Sequence, residues 1–192
     1  NQGAQMRALA LLAWQEPAVV IANAEEVTQY VVSPHYLKGQ SLHFALNDAI
    51  ERDVALEQLV TIGYERVDQV EQRGHFAVRG DILDIYPVNS DHPIRIEFFG
   101  DEIDTLRFFS VENQRSIEQI ESYTVTPFFL GQSDADSTLL SYVKDGTLIY
   151  DEPGRIQEAL KKFLKEDPTH RKNHCDWNEL QRTVDATNQV AF

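Results

Sequence analysis

Apolar side chains recur along this chain with two different periods, and the change of period divides it into three stretches. From Gln5 to Trp14, the residues Met6, Leu9, Ala10 and Ala13 fall three and four positions apart, the spacing that lines one face of a helix. Glu16-Pro17 stops that pattern, and the unbroken apolar run Ala18 to Ala22 reads as a strand buried on both faces. Asn23 is placed to cap a helix over Ala24 to Tyr30, which Ser33-Pro34 breaks. A helix alternating with an all-apolar strand predicts an α/β layer.

From Ser41 the period shortens to two. Ser41 to Leu46 alternates as a strand, and Asp53 to Ile62 interposes one short helix, supported by Val54, Leu56, Leu59 and Val60 and ended by Gly63. Five runs rich in β-branched and aromatic residues follow: His75 to Arg79, Ile82 to Tyr86, Ile94 to Phe99, Ile103 to Phe109 and Ile120 to Thr126. Gly80, Asn89 to Pro93, Gly100-Asp101 and a polar stretch around Asn113 separate them, so an antiparallel meander is predicted. After Pro127 comes a polar segment, Gly131 to Ser137, then Thr138 to Val143, an apolar strand Thr147 to Tyr150, and a helix opened by Asp151-Glu152-Pro153 and running through Lys165. The predicted class is α/β (α+β): outer α/β pieces of one domain, interrupted by a small mixed, largely antiparallel sheet domain.

Composition narrows the chemistry. A formal net charge of −14 over 192 residues repels a phosphate backbone, so docking to protein is expected rather than strong binding of DNA. The longest apolar stretch, Ala8 to Trp14, is far short of the roughly 20 residues of a bilayer-spanning helix, and it follows no basic leader with a cleavage site, so a soluble, non-exported chain is expected. The single cysteine, Cys175, excludes an internal disulfide and a cysteine-rich metal site, and places the chain in a reducing cytoplasm. His170 and His174 have the i, i+4 spacing of two helical metal ligands, but Arg171 and Lys172 between them favour a polar surface segment. No phosphate-cradling glycine loop, dinucleotide fingerprint, nucleophile elbow or H-E-x-x-H occurs, so neither a cofactor nor a familiar catalytic site is expected. Glu97, Asp101, Glu102 and Asp104 could form a carboxylate pair for acid-base chemistry, although acidic residues at a hairpin more often keep the turn soluble.

The anomaly lies in the strand Ile94 to Phe99. Alternation sends Ile94, Ile96 and Phe98 to the core and turns Arg95, Glu97 and Phe99 to the opposite face; the same rule turns Arg79 outward from Phe76 and Val78. Two arginines and a phenylalanine on one exposed surface have the composition of an interface hot spot. The alternatives are a helix covering Phe99, and arginines that merely pair with neighbouring carboxylates.

The run GYERVDQVEQRGHFAVRGDILDIYP from Gly63 to Pro87, followed by RIEFFGDEIDTLRFF from Arg95 to Phe109, closely resembles the bacterial UvrB family. The form GYERVDQV and the segment Gln114 to Glu118 look most like the UvrB-homology module of transcription-repair coupling factors. That resemblance implies that residues 1–41 end a RecA-like domain 1a, 42–127 form a UvrA-binding domain 2, and 128–192 belong to domain 1b. It implies UvrA as partner, through Arg79, Arg95 and Phe99 with Arg66 as a fourth contact, and no cofactor or catalysis in this chain. UvrB has a further arginine where Ala77 stands here, so one basic contact would be missing. RNA polymerase and DNA would be reached only through the rest of the parent protein, whose other domains could also mask this surface; a direct UvrB-like contact with DNA is the competing reading. At Thr126 to Phe129 the chain departs from relatives that carry a longer helical stretch.

Overall fold

The computed structural model describes residues 2–131, 135–186 and 190–191. They divide into two compact units, one of residues 2–10 with 37–130, the other of 11–36 with the described residues from 131 on. Among the described residues no helix is long and apolar enough to cross a membrane.

Helix α1 spans Gln2–Ala13 and buries Met6, Leu9, Ala10 and Ala13, the face that the spacing of apolar residues picks out. Helix α2, Ala24–Thr28, is shorter than expected but capped as read: the Asn23 side chain accepts the Glu26 N–H while the Glu26 carboxylate accepts that of Asn23. Strand β1, Val31–Val32, follows, and then helix α3, Pro34–Gln40. Ser33-Pro34 therefore starts a helix and does not end one, the preceding helix having stopped at Thr28: the Ser33 hydroxyl accepts the Tyr36 N–H, and a proline lacks only a donor that the first turn leaves unused. The run Ala18 to Ala22 is not a buried strand. It is irregular, with Val19 and Ile21 each 92% exposed, because a strand covered on both faces needs neighbours and no described strand pairs with it.

The first unit is built on a six-stranded sheet. Strand β2, Leu42–Ala45, precedes helix α4, Arg52–Thr61, and strands β3, Glu65–Arg66; β4, His75–Arg79; β5, Ile82–Ile85; β6, Ile94–Phe99; β7, Glu102–Phe109; and β8, Ser116–Gln119. The sheet order is β3-β4-β5-β6-β7-β8, with β3 parallel to β4 and every other pairing antiparallel. Strand β9, Ser122–Val125, is the one part of the expected meander that leaves it, pairing antiparallel with β2 from Leu42↔Val125 to Ala45↔Ser122. The sheet ends instead on β8, whose residues are all exposed; an edge strand bathed in water needs no apolar alternation, which is why its polar sequence reads as a loop. One face of the sheet carries the core. Phe76, Leu83, Ile85, Ile94, Ile96, Phe98, Ile103 and Leu106 pack there with Ala55 and Leu59 of α4, Phe44 of β2 and Val125 of β9. Helix α4 ends at Gly63, whose φ of 92° only glycine adopts freely, and the N–H groups of Phe128 and Phe129 both donate to the Ile62 carbonyl beside it.

In the second unit, β1 pairs antiparallel with β10, Ala135–Ser137, and a 3-10 turn at Leu139–Tyr142 follows. Strand β11, Thr147–Leu148, runs parallel to β12, Val190–Ala191, with helices α5, Pro153–Glu166, α6, His170–Asn173, and α7, Trp177–Ala186, between them in the chain. Leu140, Cys175, Leu180 and Val184 form its small core. Strand β11 stops short of Ile149, which is 74% exposed.

Candidate docking face

Directly opposed residues of neighbouring strands share a face, so the register defines the surface away from the core. One row across it is Ala77, Asp84, Arg95 and Arg107; the next is Arg79, Ile82, Glu97 and Thr105. Phe99 lies beyond, opposite Glu102. Between Glu97 and Phe98 the register shifts, so that Thr105 opposes Glu97 and Ile103 opposes Phe98. The extra residue on β7, Asp104, lets Ile103 and Leu106 both stay buried although they are three apart, and Phe98 stays in the core while Phe99 projects out. Phe99 is 83% exposed.

The two arginines meet on one carboxylate. Asp84, on the strand between theirs, accepts Arg95 Nε at 2.7 Å and Arg95 NH2 at 2.8 Å, and Arg79 NH2 at 2.7 Å. Arg95 NH2 also donates to Gln114 Oε1 at 3.0 Å, and its guanidinium carbon stands 4.3 Å from the centroid of the buried Phe109 ring. Gln114 is held in turn by donating to the Val111 carbonyl. The side chains of Asp84 and Arg95 are 3% and 11% exposed, that of Arg79 48%. The sequence reading placed Arg95 on the correct face, but its charge is spent within the protein; of the pair only Arg79 presents its guanidinium to solvent. Hydrogen bonds to Asp84 raise the pKa of Arg95, against the opposing effect of burial.

Glu97 is engaged by its neighbours on the face. It accepts from Arg107 and from the Thr105 hydroxyl, and these bonds, Arg107's first, hold its carboxyl below the ordinary value. Arg66, exposed on β3, shares a shallow cleft with Arg79, lined also by Val67, Asp68 and Val78. Ala77 is 1% exposed and faces Asp84 in register, where a larger side chain would crowd the ion pairs. His170 and His174 spend their Nδ1 atoms on backbone carbonyls, of Phe163 and His170, and the His170 ring stacks on Phe163 at 3.8 Å. Among the described residues no three His, Cys, Asp or Glu side chains converge as a metal site.

Asp84, Gln114 and Phe109 are parts of the face that the sequence reading did not single out. Asp84 had a signal: it is the one charge inside the run Ile82 to Ile85, on the outward parity. Gln114 had none, because its place depends on a positive-φ turn, φ 61°, that nothing in the local sequence demands.

Residues 42–129 match the family described as the UvrB interaction domain. The chain is 38% identical to the transcription-repair-coupling factor of Escherichia coli (strain K12) over 109 residues, 57% of this chain and 10% of that protein. It is 37% identical to the Bacillus subtilis (strain 168) factor over 112 residues, 58% of this chain and 10% of that one. UvrABC system protein B of Methanobrevibacter smithii is 32% identical over 124 residues, 63% of this chain and 19% of its own length. The chain thus spans about a tenth of the length of the coupling factors it matches. The sheet bearing Arg79, Asp84, Arg95 and Phe99 therefore lies within a segment that matches the UvrB interaction domain, in a chain similar to transcription-repair-coupling factors.

Proposed function

We propose that this chain is a docking module of a transcription-repair-coupling factor, and that it binds the excision-repair protein UvrA through the outer face of the six-stranded sheet. The observation that carries this reading is Phe99, a large ring left 83% in water on the same outward face as the half-exposed Arg79, on a sheet whose other face carries the core. A rigid aromatic and a half-exposed guanidinium on one face supply the desolvation energy and the directed hydrogen bonds of a hot spot. Phe99 inserts into an apolar pocket of UvrA, Arg79 pairs with a carboxylate beside it, and Arg66 extends the contact along the cleft at β3. No catalytic step is assigned to this chain. The role in the parent protein is recruitment of UvrA to lesions where RNA polymerase has stalled. The flanking residues, up to 41 and from 128 on, are assigned to the two parts of a RecA-like domain 1.

Calorimetric titration of UvrA with the chain tests this. Truncating a central hot spot removes about 2 to 4 kcal/mol, so Phe99→Ala and Arg79→Ala each weaken binding on the order of 30-fold or more. Unchanged affinity in both variants would end the proposal.

A further inference from the structure

Among the described residues Asp84 is the one that accepts hydrogen bonds from both arginines, and the docking reading gives it no role. We infer that Asp84 is a positioning residue: it locks Arg95 into the sheet as a strut and holds Arg79 by one amino group, so that Arg79 offers its remaining N–H edge to a partner carboxylate on the face that carries Phe99. The inference rests on the UvrA reading above and divides the labour within it.

The division follows from the bonds. Arg95 gives Nε and NH2 to Asp84, NH2 again to Gln114, and one face to Phe109, and little of its side chain is left in water. Arg79 gives Asp84 only NH2 and stays about half exposed. Charge gives the same answer. Asp84 is matched by Arg95, and Glu97 by Arg107, which leaves Arg79 with the uncompensated positive charge of these five residues. A partner carboxylate that reaches Arg79, set near an apolar pocket for Phe99, matches the face in charge and shape. Asp84 also needs to be an aspartate on the middle strand. Its short side chain reaches Arg79 on one neighbour and Arg95 on the other, and both its oxygens are in use. Holding Arg79 in place before the partner arrives removes part of the ordering entropy that docking must overcome.

The test is a double-mutant cycle on UvrA affinity with Asp84→Asn, Arg79→Ala and the double variant, each checked by thermal melting. Asn keeps the shape but turns an amide N–H toward the guanidinium groups. The expected result is a roughly tenfold loss for Asp84→Asn in the parent chain, and less than a twofold change when Arg79 is already alanine, because the effect runs through Arg79. An equal loss in both backgrounds would overturn the inference, as it would show Asp84 acting only on the fold; so would unchanged affinity for Asp84→Asn. Should Asp84→Asn fail to melt cooperatively, Asp84→Glu takes its place in the cycle, keeping the charge and moving it by one methylene, and the same two outcomes decide. Full affinity of Arg79→Ala and Phe99→Ala would instead sink the docking reading itself, while a large loss in both with an additive cycle would remove only the role of Asp84.

Discussion

A phenylalanine with most of its ring in water contributes almost nothing to holding the sheet together. Phe99→Ala should therefore leave the melting temperature nearly unchanged, a shift of about 0.5 kcal/mol or less being usual for an exposed site, while it weakens UvrA binding. That pairing of neutral stability with lost affinity separates a docking residue from a core residue. Cys175 shows the opposite environment. It is 1% exposed, and burial, aided by Glu179, pushes its thiol up to about 11. At pH 8 only on the order of one molecule in a thousand would carry the reactive thiolate, and that one is shielded. An aromatic disulfide reagent should accordingly label Cys175 only as fast as the second unit opens, with rapid labelling on adding denaturant; fast labelling of the native chain would contradict the placement. Both residues also show what could be read beforehand. The exposure of Phe99 follows from strand parity in Ile94 to Phe99, a local rule. The engagement of Arg95 with Asp84, 11 residues away, and Gln114, 19 residues away, does not, since neither partner is set by local alternation.

Among the elements, the six-stranded sheet owes its functional geometry to irregularities more than to its ladder. The shift at Glu97/Phe98 keeps Phe98 and Ile103 in the core while Phe99 projects, and a second shift at Phe108/Phe109 accompanies the burial of Phe109 under Arg95. Strands β4 to β7 were legible from alternation because one face is buried and the other is not. Strand β8 was not, as an exposed edge strand lacks an apolar stripe, and β9 was legible as a strand but not in its pairing, since the run Ile120 to Thr126 does not say which sheet it will join. Helix α4 was legible, including its stop. At Gly63 an added Cβ would stand 2.7 Å from Phe129 Cβ and 2.8 Å from the Phe129 backbone nitrogen, in a left-handed conformation. Gly63→Ala is expected to destabilise the first unit by about 1 to 3 kcal/mol, read as a lower urea midpoint with an unchanged slope, because backbone cannot yield as a flexible side chain would. Gly80→Ala, at a φ of 60° against 92° for Gly63 and with open space around it, should cost less, as it meets neither the crowding by Phe129 nor the wider positive φ.

Taken whole, the molecule sets a few arginines paired with carboxylates on a chain of net charge −14, so long-range attraction to an acidic partner is weak and recognition must come from close fit. The balance of charge was legible in composition; the location of its exception needed the register. The segment from Pro17 to Ala22 was the least legible. Its composition is that of a buried strand, and only the fold shows that no described strand takes it as a neighbour. The consequence is practical. Bare valine and isoleucine in an irregular segment should promote self-association at the concentrations that calorimetry and crystallisation require, by a route that has nothing to do with repair. A lysine at Ile21 should raise the protein concentration at which light scattering sets in and lengthen storage life, while the UvrA titration stays the same; if turbidity appears at the old concentration, the stickiness arises elsewhere.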